Sequence, residues 1–115
     1  MFLEQGEKLL VTHRRLFRED SHRHFIGEVE HYRDGVASVS GYTWIWNPLS
    51  GEMVRKDDRR RKLVAIASGT LIVYLLDRSV DLDTIRFEHE PGGRTYLRDG
   101  ADLRLDLTEH DLRHA

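Results

Sequence analysis

The sequence predicts an all-β fold, a small, strongly bent antiparallel β-barrel, and three features carry that expectation. The first is residues 24–46, where two runs rich in β-branched and aromatic residues flank Asp34-Gly35, the strongest short-range hairpin signal. The second is punctuation. Clusters of Gly, Pro, Asn and Asp recur about every 8–12 residues, the spacing of sandwiches and barrels. The third is the alternation of Leu103, Leu105 and Leu107 with Asp102, Arg104 and Asp106, the period of a half-buried strand. Closing short strands into a barrel also removes the free edges that invite aggregation.

Taken in order, Met1 to Asp20 is ambiguous. Leu9 to Phe17 suits a strand, given Val11 and Thr12 at its centre and Gly6 before it, but Leu9, Leu10, His13 and Phe17 also fall on one stripe of a short N-terminal helix. In the central hairpin, a two-residue loop at Asp34-Gly35 would mix polar and apolar residues on both faces. A three-residue loop, Arg33-Asp34-Gly35, sorts them. Phe25, Gly27, Val29, His31, Ala37, Val39, Gly41, Thr43 and Ile45 then form the core face. Ile26, Glu28, Glu30, Tyr32, Val36, Ser38, Ser40, Tyr42, Trp44 and Trp46 form the other.

Asn47-Pro48-Leu49-Ser50-Gly51 reads as a loop, Glu52 to Arg55 as a short strand and Lys56-Asp57-Asp58-Arg59 as a turn. Leu63 to Ala67 and Thr70 to Leu76, joined by Ser68-Gly69, read as a tight hairpin with Ile66 facing Leu71 and Val64 facing Val73. Both of its faces are apolar, so each needs a cover from the same chain or from another subunit. Thr84 to His89 and Arg94 to Leu97 flank the turn Glu90-Pro91-Gly92-Gly93, and Arg98-Asp99-Gly100 turns the chain into its last strand. Thr108 with Glu109 and Asp111 suits the cap of a final helical turn.

A length of 115 residues with 39% hydrophobic and 33% charged side chains fits a single soluble domain, residues 1–115. There is no cysteine, which excludes disulfides, thiolate metal sites and cysteine nucleophiles and fits a reducing, cytoplasmic setting. No leader is visible at the N-terminus, and the longest apolar stretch, Leu63 to Leu76, is too short to span a membrane as a helix. No membrane partner is expected.

The residues that could carry function fall into four groups. Arg55 to Lys62 holds six positive and two negative charges, a local excess in a chain of net charge −2. Arg59, Arg60, Arg61 and Lys62, with the aromatic face of Tyr32, Tyr42, Trp44 and Trp46, could supply phosphate contacts and stacking platforms for single-stranded nucleic acid. The two-faced hairpin offers Leu63, Ala65, Leu71, Ile72, Val73 and Tyr74 as an oligomer interface. His22 and His24, two apart on an extended chain, could share a metal only if His31 or Glu28 joined them. For catalysis there is no phosphate-binding glycine loop, dinucleotide fingerprint, serine nucleophile elbow or paired-histidine zinc helix, so no catalytic residue, cofactor or metal is assigned.

Phe25-Ile26-Gly27-Glu28-Val29, running on to Val39, resembles the bent, glycine-containing first strand and second strand of the Sm-like small barrels, and Ser68-Gly69-Thr70-Leu71-Ile72 echoes the turn before that family's last strand. The resemblance covers under half the chain. The asparagine and the arginine-glycine pair that touch RNA in that family are missing here, and the hairpins from Thr84 onward exceed its usual strands. It implies ring-like homo-oligomers built through edge strands, with RNA contacts carried to no residue. The expected function is a non-catalytic binding or assembly module forming a homo-oligomer. The alternatives are single-stranded RNA binding and a small metal-dependent enzyme.

Overall fold

The computed structural model describes residues 3–13 and 23–107. Among these residues, nine strands and one short 3-10 turn are found, the strands making two antiparallel sheets, so the fold is all-β. The first sheet contains β1 (Lys8–His13), β2 (Arg23–Arg33), β3 (Val36–Asn47), β4 (Glu52–Arg55), β5 (Arg60–Ala65) and β6 (Leu71–Leu76). Its order is β4-β3-β2-β1-β6, with β5 also on β3. The second, β7 (Arg86–His89), β8 (Thr95–Arg98) and β9 (Arg104–Asp106), is a meander in the order β7-β8-β9. Among the described residues no helix is long and apolar enough to cross a membrane.

The N-terminal ambiguity resolves to strand for Lys8–His13, and the packing supplies the reason. Leu9 and Leu10 are both fully buried although they point to opposite faces. β1 lies between β2 and β6 with Leu9 in one hydrophobic core and Leu10 in the other, whereas a helix would bury only one stripe. The remainder of that predicted segment, with Phe17, lies outside the described residues, as do His22 and the turn predicted from Thr108.

The central hairpin corrects the expected register near its tip. Its loop has two residues, Asp34 and Gly35, with φ of 51° and 82°, the left-handed pair of a type I′ turn. Arg33 pairs with Val36, Tyr32 with Ala37 and His31 with Ser38. A β-bulge at Glu30 then shifts the ladder, and from Val29–Val39 outward odd residues face odd, through Gly27–Gly41 to Phe25–Thr43. The core face was therefore legible beyond the bulge, whereas His31 and Tyr32 exchange places. Tyr32 packs against the Phe25, Val29, Ala37 and Val39 side, not beside Tyr42.

A second correction concerns Leu63 to Leu76. No tight hairpin forms: β5 pairs with β3 and β6 with β1, and the Ser68-Gly69 segment turns the chain from one margin of the sheet to the other. Among the described residues no ladder joins β5 to β6, so the hydrogen-bonded sheet stays open. Its curl is nevertheless strong. Val64 of β5 and Leu71 and Val73 of β6, at opposite ends of the strand order, meet in one core with Leu3, Leu9, Val11, Phe25, Val29 and Val39.

Glycine makes the bend feasible at one ladder pair. A Cβ on Gly27 would stand 2.5 Å from the Ser40 carbonyl oxygen, and one on Gly41 would overlap the carbonyl oxygen of Ile26. The strands approach there more closely than any side chain permits.

The convex face of the curled sheet has its own cover. Leu10, Ile26 and Leu76 pack with Val80, Ile85, Leu97 and Leu107, while Trp44, Tyr74, Phe87 and Leu105 border the same cluster. The second sheet is thus the lid for one apolar face, and the curl shelters the other. Asp99 organises the β8–β9 turn by accepting hydrogen bonds from the backbone N–H groups of Ala101 (2.9 Å) and Leu103 (3.1 Å).

Candidate anion-binding cleft

The basic run is split by the period of the strand it enters. Successive residues of β5 point to opposite faces, so Arg61 leaves on the convex face while Arg60 and Lys62 turn to the concave one. On the convex face the charges have local partners. Arg61 Nε donates to Glu30 Oε1 at 2.8 Å, and Arg59 Nε donates to Ser40 Oγ at 2.7 Å. The guanidinium groups of Arg55 and Arg59 lie 4.3 and 5.6 Å from the centre of the Tyr42 ring, within cation–π range.

The concave face differs. Lys62 Nζ donates to Thr43 Oγ1 at 3.3 Å and sits 4.8 Å from the centre of the Phe25 ring, at the edge of the inner core. Around it an open cleft of about 610 Å³ is lined by Arg23 from the start of β2, Thr43 and Ile45 from β3, Lys56 from the turn, and Arg60. Val54, Arg55, Asp57 and Asp58 complete its wall. Asp58 is the acidic partner of Arg60, at 3.4 Å. Among the described residues, no carboxylate comes within ion-pair distance of Arg23, Lys56 or Lys62.

Two groups register this crowding. Burial holds the Lys62 ammonium below its usual pKa, and the charges of Arg23, Arg60 and Lys56 press it further the same way. His13, at the end of β1, is also lowered, by burial and then by Lys62 and Arg23. The mouth of the curled sheet is therefore a focus of positive potential beside a low-dielectric core, suited to a bound anion.

The aromatic group predicted for one face divides three ways. Tyr32 is on the opposite side, as described. Tyr42 lies beneath Arg55. Trp44 and Trp46 turn to the second sheet, with ring centroids 5.2 Å from Phe87 and 5.3 Å from His89. Of the predicted interface residues, Leu63 and Ala65 are exposed, whereas Leu71, Ile72, Val73 and Tyr74 are half-buried. Leu71 and Val73 pack on the inner core and Tyr74 on the outer one. His24 is buried, with Nδ1 2.9 Å from Thr12 Oγ1 and its ring stacked on Phe87 at 5.2 Å. Among the described residues no three acidic or histidine side chains gather as metal ligands.

Sequence reasoning placed Lys56, Arg60 and Lys62 in the basic run but missed Arg23 and Thr43. A signal for both was present: Arg23 and Thr43 share the odd parity of Phe25, which places them on the concave face. No protein-family model, curated protein or solved structure matches this chain.

Proposed function

We propose that the chain is a non-catalytic binding module that holds an anionic ligand in the cleft formed by β2, β3 and β5. In this reading the curled sheet is a small barrel-like roll left open along one seam, and the cleft is its mouth, a usual place for ligands in β-barrels. One observation carries it: Arg23, Lys56, Arg60 and Lys62 converge on one cleft in which Arg60 alone has a carboxylate partner among the described residues. Cations held together beside apolar surface without counter-charge repel one another, and a bound anion reverses the sign of that interaction.

The test is a chemical-shift titration with inorganic phosphate at low ionic strength. Amides around Thr43, Lys56, Arg60 and Lys62 should shift together, and added chloride salt should weaken the effect. Absence of saturable shifts there would overturn the reading. Lys62→Met separates binding from structure. It should weaken phosphate binding about tenfold or more, as expected when a charge-assisted contact is lost, and raise the melting temperature of the free protein by relieving repulsion.

A second reading, homo-oligomeric assembly through a sheet margin, has one supporting observation. Leu63 is 79% exposed on β5, a strand paired among the described residues only on its β3 side, and Val36 on the same face is 38% exposed. The edge-strand rings implied by the Sm-like resemblance belong to this reading. Single-stranded nucleic acid stacked on the tryptophans has less support, because Trp44 and Trp46 already contact the second sheet.

A further inference from the structure

The anion-binding reading leaves the chemistry of the ligand open, and the arrangement of charge narrows it. A groove that follows a nucleic-acid backbone presents cations in a line, one for each successive phosphodiester. Here the basic run is divided between two faces, and on the convex face Arg61 and Arg59 are engaged by Glu30, Ser40 and Tyr42. The remaining cations, of which Arg60 alone has a carboxylate partner among the described residues, meet instead at one cleft. Arg60 and Lys62 stand two residues apart on one side of β5, about 7 Å along the strand, and Arg23 and Lys56 complete the ring.

Against Asp57 and Asp58 on the rim, Arg23, Lys56, Arg60 and Lys62 leave the lining with an excess of two positive charges, the guanidinium of Arg55 lying over Tyr42 on the other face. A phosphodiester brings one negative charge, whereas a phosphomonoester brings close to two at neutral pH, with three acceptor oxygens. The donors suit the second: Lys62 has two N–H groups beyond the one directed at Thr43, and Arg23 offers a planar fork. Ile45 and Val54 add apolar wall to the same cleft, against which the body of a ligand can lie.

We propose that the cleft recognises a terminal phosphate monoester carried on a flat or apolar body, either a free nucleoside monophosphate or the phosphorylated end of a single strand. The proposal rests on the anion-binding reading and specifies its ligand.

Calorimetric titration of the full chain at low ionic strength tests it with four probes. These are a nucleoside monophosphate, the matching cyclic nucleotide, an end-phosphorylated oligonucleotide and its hydroxyl-ended counterpart. The cyclic nucleotide keeps the same body but holds its phosphate as a singly charged diester. The expected result is binding of the open monophosphate about tenfold or more tighter than the cyclic form, and of the phosphorylated oligonucleotide tighter than the hydroxyl-ended one. The preference should shrink as the pH falls below about 6, where the monoester loses its second charge. Equal binding of open and cyclic forms would overturn the monoester assignment while leaving the anion reading in place, and failure of all four probes together with failure of inorganic phosphate in the shift titration would remove both. If the phosphorylated oligonucleotide binds more tightly than the mononucleotide, the ligand is a strand end; equal affinities identify the free nucleotide. Lys62→Met and Arg60→Met should each abolish the monoester preference. Arg61→Met, on the convex face, should preserve it, and loss there would also count against the cleft.

Discussion

Gly41 shows how closely one residue can determine the shape of a sheet. Its hydrogen lies where a methyl group would overlap the Ile26 carbonyl oxygen, and the obstructing atom is backbone in the ladder that defines the curl. Gly41→Ala should therefore destabilise the fold by about 3 kcal/mol or more, the upper range for overpacking, measured by urea denaturation. At Gly35 a Cβ would meet nothing within 4 Å, yet φ is 82°, so conformation rather than space constrains that position. Asp99 provides a pH-dependent counterpart. The Ala101 N–H, with those of Leu103 and Asp81, holds its carboxyl below the ordinary value of 3.8. Because the folded pKa is the lower one, its contribution is complete above the unfolded pKa and disappears as the pH falls through the folded value. The stability difference between the wild type and Asp99→Asn should accordingly be steady near neutrality and shrink in acid, as followed by denaturant midpoints from about pH 6 to pH 2.5.

Among the elements, the central hairpin separates what a sequence discloses from what it conceals. The place of the turn at Asp34-Gly35 was legible because Asp-Gly favours left-handed backbone, though its two-residue length was not, and the core parity of Phe25, Val29, Val39 and Thr43 was legible because alternation marks a half-buried strand. The bulge was not, since Glu30 carries no local mark of being the extra residue. Without it, a two-residue turn and a coherent core face were incompatible, and Tyr32 went to the wrong side. Removing Glu30 should join the two parts of the ladder directly, with Val29 still opposite Val39 and His31 still opposite Ser38. A chain lacking Glu30 is expected to fold with the same cross-strand contacts in nuclear Overhauser spectra, losing only the bend and the ion pair with Arg61. A displaced register would refute this account of the bulge. The apparent hairpin at Leu63 to Leu76 misled for a related reason: two apolar runs beside Ser68-Gly69 match a hairpin locally, while their partners, β3 and β1, are distant in sequence. The cleft was half legible for the same reason. Charge density identified Arg60 and Lys62, but only the ladder brings Arg23 to them.

For the molecule as a whole, the open question in the sequence was what covers two apolar faces in a chain of this size. The curl covers one and the second sheet the other, which leaves Leu63 at 79% and Leu75 at 55% exposed on the two margins. If assembly occurs through β5, Leu63→Glu should convert an oligomer to the 13.5 kDa chain in light scattering without altering its circular dichroism. A wild-type protein already at that mass would eliminate the assembly reading and leave the cleft unaffected.

The seam between β5 and β6 also grades the molecule by how readily each strand exchanges its amide hydrogens. β1 is bonded on both sides and buried on both faces, so releasing its amides requires global unfolding. The outward amides of β5 and β6 face a margin without a ladder among the described residues, and deuterium should enter there first. A strand-resolved exchange experiment would then trace the seam directly, and slowing of exchange at Arg60 to Lys62 on addition of phosphate would mark where a ligand draws the open mouth together.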